Sequence, residues 1–600
     1  MKFLNLPKEY ARCAEMLSGR LNLDKIDIPV SFELTDKMTV GFDGEGGYIR
    51  CNRVNRFARL LGILAFRYTG ATFEESETPC FDTVSCMLDL SFNAPLTLAS
   101  IKEYLDYMAI FGFTEIQLYM EDMYELEGRP YFGYMRGRYT YSELREIDDY
   151  AHDLGIEAVP CMQTLGHMSN YLRWSESSDV KDTAGVLLVD NDSTYDFIEK
   201  MLLTASAPFR SNKIHVGCDE TYGLGRGKYL DSHEKHDTVD LYLTHVERVA
   251  ELCKKHGLEP MMWSDMLCSS FSGGRGNFHP SIKIPDYVGE RLPENMKLVF
   301  WHYGQIKGCE SDLVPKHKAL GKDPIVAGAS HTWQSILPDY YFSLMANAST
   351  INECKRLGVR EIMMTVWNYR HTVYQVSLLD LCQYGELAYR DTTDDLKARF
   401  EFVTGASYDA FMRMSDFAFM YKTNAERDAY VYGRGETGNV FFRTDIFLNV
   451  KEKEWLADTR VEFYAAAEEY FKPLSEADGK WQFLYKFCYA AFRLMRVKSQ
   501  IVETLRPAYD SQNLAELVRI VDEYLPEYLD ALDLLSDAHA LHKDTYLRPF
   551  GTELMDANYG KMKERGRTVR RRLSLYLDGK IDAIPELDEK KLEYQWGMIL

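Results

Sequence analysis

Lys213-Ile-His-Val-Gly-Cys-Asp-Glu-Thr-Tyr222 opens as a short apolar strand, and the apolar run breaks off at two adjacent carboxylates, Asp219 and Glu220. Gly223, Gly225 and Gly227 follow as a turn. Charge thus falls at a strand's C-terminal end, where parallel α/β proteins gather functional loops on a rigid base. An Asp-Glu pair after a strand can equally do no more than cap the next helix. The reading of these two residues therefore turns on what surrounds them.

What surrounds them is a recurring unit of strand, loop and helix. Apolar runs predict strands at Val84–Leu90, Glu115–Met120, Glu157–Met162, Lys213–Gly217, Glu259–Trp263, Lys297–Trp301, Ile325–Ala329 and Glu361–Trp367. Amphipathic stretches separate most of them. Four of these, Leu98–Phe111, Tyr141–Leu154, Val239–His256 and Ser343–Leu357, run straight into a glycine placed as a C-cap; Ser193–Leu203 is a fifth helix. Eight such units predict an α/β fold, a (β/α)8 TIM barrel over residues 81–400. Residues 1–80 read as a small α/β domain, with strands at Ile28–Glu33 and Met38–Phe42, a hairpin turn at Gly44–Gly47 and a helix from Val54 to Tyr68. Residues 401–600 read as a helical domain, from the long amphipathic segments Lys451–Phe471, Trp481–Leu505, Leu514–His542 and Asp556–Leu577. Val431–Gly438 reads as a surface linker carrying Tyr432 and Arg434.

A barrel requires the residues just after its strands to line one pocket. In strand order they are Asp89 and Asn93; Glu121 and Asp122; Gln163 and His167; Asp219 and Glu220; Ser264 and Asp265; His302 and Tyr303; His331 and Trp333; and Asn368, Tyr369 and Arg370. Trp263, Trp301 and Trp367 end three of the strands. Aromatics around a polar pocket suit a sugar, whose apolar ring face stacks while its hydroxyls need fixed partners.

Bulk properties narrow the classes. Six hundred residues exceed one hydrophobic core, and 46% hydrophobic with 27% charged residues is ordinary globular composition. A formal charge of −21 disfavours nucleic acid and anionic membrane as partners. The basic run from Lys561 to Arg572 reads as a solvated helix face. The N-terminus (MKFLNLPKEYARCAEML) lacks the form of a secretory signal, and no window reaches the roughly 18 apolar residues of a membrane span, so a cytoplasmic protein is expected. Twelve cysteines without CxxC spacing, several in apolar runs (Cys86, Cys161, Cys382, Cys488), read as reduced core residues rather than a zinc or redox site.

His215-Val-Gly-Cys-Asp-Glu220 resembles the His-x-Gly-x-Asp-Glu signature of family 20 glycoside hydrolases, the exo-acting β-N-acetylhexosaminidases. Leu118–Asp122, Phe132–Tyr139, Cys161–His167 and Met261–Met266 are similar to the family's bacterial intracellular branch, with its small α/β domain, barrel and helical C-terminal domain. The resemblance implies a retaining enzyme without metal or cofactor, acting on a small oligosaccharide or glycoconjugate. In it the substrate's 2-acetamido oxygen is the nucleophile. Glu220 would be the acid, keeping its proton near neutral pH through partial burial and the charge of Asp219; Asp219 would orient the acetamido N–H and steady the developing cation. Consecutive side chains on an extended strand diverge, so the two carboxylates would face different parts of the sugar.

The same resemblance implies Tyr303 as donor to the acetamide oxygen, Trp263, Trp301, Trp333 and Trp367 as walls for its methyl, and His167 and His215 as supporting partners. Asp265 and Glu121 would bind hydroxyls or anchor loops. Two departures stand out. Phe92 occupies the place of the family's usual arginine after the first strand, and Trp367-Asn-Tyr-Arg370 replaces a Trp-Gly-Asp type sequence. Unmodified terminal GlcNAc is then expected to be a poor substrate, with Arg370 facing an anionic or modified sugar. Two other readings stay open: a glycosidase using Glu121 or Asp265 as nucleophile on a sugar without the acetamide, and a non-catalytic glycan-binding protein. A metal-dependent hydrolase is disfavoured, because no strand end offers paired histidines. Association as a homodimer also stays open.

Overall fold

The chain begins with a five-stranded sheet, built from β1 (Lys2–Phe3), β2 (Pro29–Leu34), β3 (Met38–Phe42), β4 (Gly47–Cys51) and β5 (Phe73–Glu77) in the order β1-β2-β4-β3-β5. The expected hairpin joins β3 and β4 antiparallel, with Val40 opposite Ile49. Asp43 makes the turn, its Oδ1 accepting from the N–H groups of Glu45 (2.9 Å) and Gly46 (2.8 Å) while Gly44 takes a left-handed φ of 102°. The computed structural model describes all residues except 93, 275–277, 305–307, 334, 369–371, 419–436, 458–459 and 594–600.

The eight expected barrel strands follow: β6 (Thr83–Asp89), β7 (Glu115–Tyr119), β8 (Glu157–Cys161), β9 (Lys213–His215), β10 (Glu259–Trp263), β11 (Lys297–Trp301), β12 (Ile325–Ser330) and β13 (Glu361–Val366). Every pairing is parallel, and β13 closes onto β6 with Met363 opposite Ser85. Strand alternation sends every second residue inward, and Met87, Tyr119, Val159, Cys161, Met261, Trp263, Val299, Ala327 and Met363 fill the interior as one apolar cluster.

The described residues divide into two compact units. The first holds the sheet and barrel, as Met1–Ser330, Ser343–Trp367 and Ser377–Gly405; the second holds His331–Phe342, Asn368–Val376 and Ala406–Leu600. The second unit is helical, with long helices at Val461–Glu476, Gln482–Asp510, Leu525–Tyr546 and Glu553–Leu577. Lys498 is buried in it, and its Nζ donates to the carbonyls of Phe441 (2.5 Å), Phe442 (3.1 Å) and Thr444 (2.5 Å) at the end of helix Thr437–Arg443. No helix among the described residues is long and apolar enough to cross a membrane.

A buried ion cluster fastens the leading sheet to the barrel within the first unit. Arg59, on helix Val54–Arg67, donates to Glu77 Oε2 (2.6 Å) and Oε1 (2.8 Å), to Glu386 Oε1 (3.1 Å) and to the Phe111 carbonyl (2.9 Å). Arg399 Nε lies 3.0 Å from Glu386 Oε1, Arg390 Nε donates to Glu77 Oε1 (2.6 Å), and the Arg59 guanidinium sits 4.2 Å from the centre of the Tyr389 ring. The buried charges, Arg59 and Arg399 against Glu77 and Glu386, balance two to two, with Arg390 joining from a half-buried position, the condition under which burying them is tolerable.

A second buried carboxyl has no such counter-ion among the described residues. Asp380 is fully enclosed and accepts hydroxyl hydrogen bonds from Ser330 (2.5 Å) and Ser343 (2.6 Å). Burial outweighs both bonds and pushes its pKa up to about 7. The folded state therefore holds this proton more tightly than the unfolded chain, whose carboxyl titrates near 3.9. The resulting stability is complete below that value and is lost as pH rises through about 7. Asp380→Asn removes the loss, so thermal melts are expected to show the variant gaining about 2–3 kcal/mol on the wild type between pH 5 and pH 8. An equal difference at both pH values would contradict this assignment.

Candidate active site

The acidic pair does not ride on an extended strand. β9 ends at His215, and the chain then turns through left-handed conformations at Gly217 (φ 71°), Cys218 (φ 69°) and Glu220 (φ 47°). The expected strand to Gly217 is therefore two residues too long, and the divergence of Asp219 from Glu220 comes from this kink, not from a pleat. Glycine is needed at 217, because a Cβ there would lie 2.0 Å from Gln163 Oε1. Cys218 and Glu220 have no such freedom, and their strain is held by bonds on all sides. Gly217 N–H donates to His215 Nδ1 (3.1 Å), Cys218 N–H to Gln163 Oε1 (3.3 Å) and Glu220 N–H to Asp265 Oδ2 (3.0 Å), while the Cys218 carbonyl accepts from Tyr242 Oη (3.0 Å).

The two carboxylates differ in environment. Asp219 is mostly enclosed: Gln163 Nε2 donates to its Oδ1 (2.8 Å), and His167 Nε2 lies 3.0 Å from its Oδ2. The Glu220 side chain is 42% exposed and lies 3.5 Å from the same His167 nitrogen, so its expected partial burial is not seen in the free protein. Burial alone would raise the Asp219 pKa, but the His167 charge and hydrogen bonds reverse it and hold the carboxyl below its ordinary range. Burial likewise opposes the charge on His167, and Asp219 outweighs it, raising the imidazole well above its ordinary value. The site is thus preset with an anion against a cation beside an open carboxyl.

Two further acids of the pocket, Glu121 and Asp265, are buried. Burial, reinforced by the charge of Asp219, pushes Asp265 well up, and burial also raises Glu121 against the pull of Arg136. Glu121 Oε1 accepts from Tyr119 Oη (3.2 Å), and Gln163 Nε2 reaches that same hydroxyl (3.1 Å). Asp265 accepts from the backbone N–H of Glu220. His215 is enclosed, with burial lowering its pKa to about 3, which keeps it a neutral acceptor under the turn.

The aromatic residues are layered. Trp263 is 1% exposed and belongs to the barrel interior, while Trp301, Trp367 and Phe92 are partly buried against that cluster. Trp367 Nε1 donates to Tyr303 Oη (3.0 Å), Trp301 stacks on Tyr303 at 5.0 Å, and Tyr119 meets Trp367 edge-on at 4.8 Å. Phe92, in place of the expected arginine, stacks on Tyr119 (6.1 Å) and meets Trp367 edge-on (6.3 Å). Trp333 belongs to the second unit, where its ring packs on His331 at 4.6 Å; Asn368 belongs to that unit too. Arg370, Tyr369, Asn93, Tyr432 and Arg434 lie outside the described residues.

Residues 84–311 match the model described as glycosyl hydrolase family 20, catalytic domain, and residues 409–597 match the glycoside hydrolase 20C C-terminal domain. The chain belongs to glycoside hydrolase family 20. Among relatives, bovine hexosaminidase D is 27% identical over 267 residues, 42% of this chain and 73% of that protein. Human hexosaminidase D is 28% identical over 195 residues, with the match spanning 30% of this chain and 39% of the human protein. The family 20 exo-β-N-acetylglucosaminidase of Vibrio harveyi, crystallised with N-acetylglucosamine, superposes with a TM-score of 0.53 at 13% identity, over 69% of this chain and 74% of that one. The β-N-acetylhexosaminidase of Streptomyces coelicolor gives 0.52 at 16% identity, over 70% and 93%. At such identities the two superpositions speak for the fold.

Within this family 20 site, Arg136 is the residue that sequence reasoning passed over. It comes from the loop after β7, pairs with Asp122, donates to the Ser91 carbonyl and lies 3.9 Å from Glu121 Oε2. A guanidinium therefore stands beside the position where Phe92 replaced the expected one. The available signal was its place in Phe132–Tyr139, between Gly133 and Gly137. Tyr119 and Tyr242 were hidden inside a strand and a helix.

Proposed function

We propose that this family 20 member is a retaining exo-β-N-acetylhexosaminidase that releases terminal β-linked GlcNAc, GalNAc or a modified form by substrate-assisted catalysis. The observation that carries the reading is the asymmetry at the β9 turn. Asp219 is enclosed and held as an anion, Glu220 is open, and Glu121 and Asp265 are buried, with burial raising the pKa of each. That set supplies an acid and an anion, and it offers Glu121 and Asp265 poorly as nucleophiles.

The acetamide oxygen then attacks the anomeric carbon as the glycosidic bond breaks, and Glu220 passes its proton to the leaving oxygen. Asp219 accepts from the acetamido N–H and steadies the cation of the oxazolinium ring. Burial keeps the Tyr303 hydroxyl protonated, and the bond from Trp367 orients it as donor to the acetamide oxygen. Water, activated by the Glu220 carboxylate, opens the ring from the face the leaving group vacated, giving retention. The twelve free cysteines suit a reducing, cytoplasmic setting.

A panel of aryl β-glycosides tests this reading. Turnover is expected on GlcNAc, GalNAc or 6-sulfo-GlcNAc and not on galactose or glucose, and a 2-fluoro sugar should leave no adduct. A trapped glycosyl-enzyme on Glu121 or Asp265 would refute it.

A further inference from the structure

Tyr131, Tyr134 and Trp174 pack as a triangle of rings, with centroids 5.4 Å (Tyr131–Tyr134), 5.1 Å (Tyr131–Trp174) and 5.6 Å (Tyr134–Trp174) apart. Both tyrosines are exposed, at 41% and 38%, and Trp174 is half-buried. Beside them Met135 is 69% exposed and takes a left-handed φ of 58°, a conformation a methionine adopts at a cost. The loop is nonetheless fixed. Arg129 grips Asp179 at 3.1 and 2.7 Å, Gly133 N–H donates to Asp122 Oδ2 (3.3 Å), and a Cβ at Gly133 would lie 2.2 Å from the Asp122 carbonyl. Three aromatic rings are thus held at the surface by a fixed loop, next to a methionine in a costly backbone conformation.

The triangle sits on two of the loops that build the active site. Its tyrosines lie on the loop after β7, which carries Glu121 and Arg136, and its tryptophan on the loop after β8, which carries His167. Helix Ser169–Leu172 takes up four of the eight residues from His167 to Trp174, so the two Cα atoms lie within about 19 Å of each other. Arg173, over the Trp174 ring at 5.2 Å, is near enough to Arg136 to disfavour its charge, and makes no ion pair among the described residues. His167 in turn touches the open acid, Glu220.

We propose that Tyr131, Tyr134 and Trp174 form a leaving-group subsite, on which a further sugar ring of an oligosaccharide substrate stacks while Arg173 donates to its oxygens. This rests on the hydrolase reading above. Rings with few rotatable bonds, already packed on one another, bind a flat sugar face at little entropic cost. The natural substrate is then an oligosaccharide, engaged on both sides of the bond that breaks.

The test compares wild type with Trp174→Ala and Trp174→Phe on β-GlcNAc fluoride, whose leaving group has no ring, and on a β-linked GlcNAc trisaccharide. Trp174→Ala is expected to keep its fluoride kcat/KM within twofold and to lose about tenfold on the trisaccharide, mainly in KM, with Trp174→Phe recovering most of it. Equal effects on both substrates, no effect on either, or a wild type that cleaves the fluoride but not the trisaccharide would overturn the subsite. A wild type inert toward every 2-acetamido glycoside, the fluoride included, would instead overturn the reaction proposed for the site.

Discussion

Glu220→Gln is expected to lower kcat/KM on β-linked 2-acetamido substrates by about 10²- to 10⁴-fold, the range a positioned general acid supplies. The loss should depend on the leaving group: smallest for a nitrophenolate, which departs without help, and largest for a sugar alkoxide, which must be protonated as it leaves. Because the Glu220 side chain projects from a turn that is bonded through its backbone, the amide should leave the fold and the melting temperature unchanged. Comparing nitrophenyl and saccharide leaving groups in wild type and variant measures the gradient. A uniform loss across leaving groups would assign Glu220 some other task, and full activity would remove it from the mechanism.

Asp219→Asn is expected to cost about 10²- to 10³-fold in kcat, the loss seen when a preorganised charge facing a developing one is removed. It should also shift the pH dependence of stability. In the wild type His167 holds its proton above its ordinary pKa near 6.5, so its contribution is complete below that value and is lost as pH rises through the raised native pKa. Asp219 contributes above about 3.9, and its share is lost as pH falls through its lowered native pKa. The ion pair therefore stabilises across the whole interval between, and the melting advantage of wild type over Asp219→Asn should narrow at both ends. Melts from pH 3 to pH 9 check this, and an advantage that does not change with pH would separate His167 from Asp219.

The barrel was legible because its strands are apolar runs that stop at polar residues, and because glycine caps punctuate the helices between them. The β9 turn was only half legible. Gly217 announces a left-handed residue, whereas Cys218 and Glu220 reach the same region under tertiary bonds from Gln163, Tyr242 and Asp265, which no local pattern encodes. Trp263 ends its strand, and its parity with Met261 packs it in the barrel interior, against which Trp301, Trp367 and Phe92 rest. Arg136 escaped notice for a related reason. Its position depends on how the loop after β7 folds back over Asp122 and Ser91, and Ser91 lies 45 residues upstream.

The ion cluster around Arg59 bears on how this architecture can be inherited. Arg59 and Glu77 come from the leading sheet and its helix, Glu386, Arg390 and Arg399 from beyond the last barrel strand, and the Arg59–Glu386 and Glu77–Arg390 pairs join the two sides. A barrel passed on without its first eighty residues would carry stranded ions in an oily seam, so shuffling during evolution has to move the two as a single cassette.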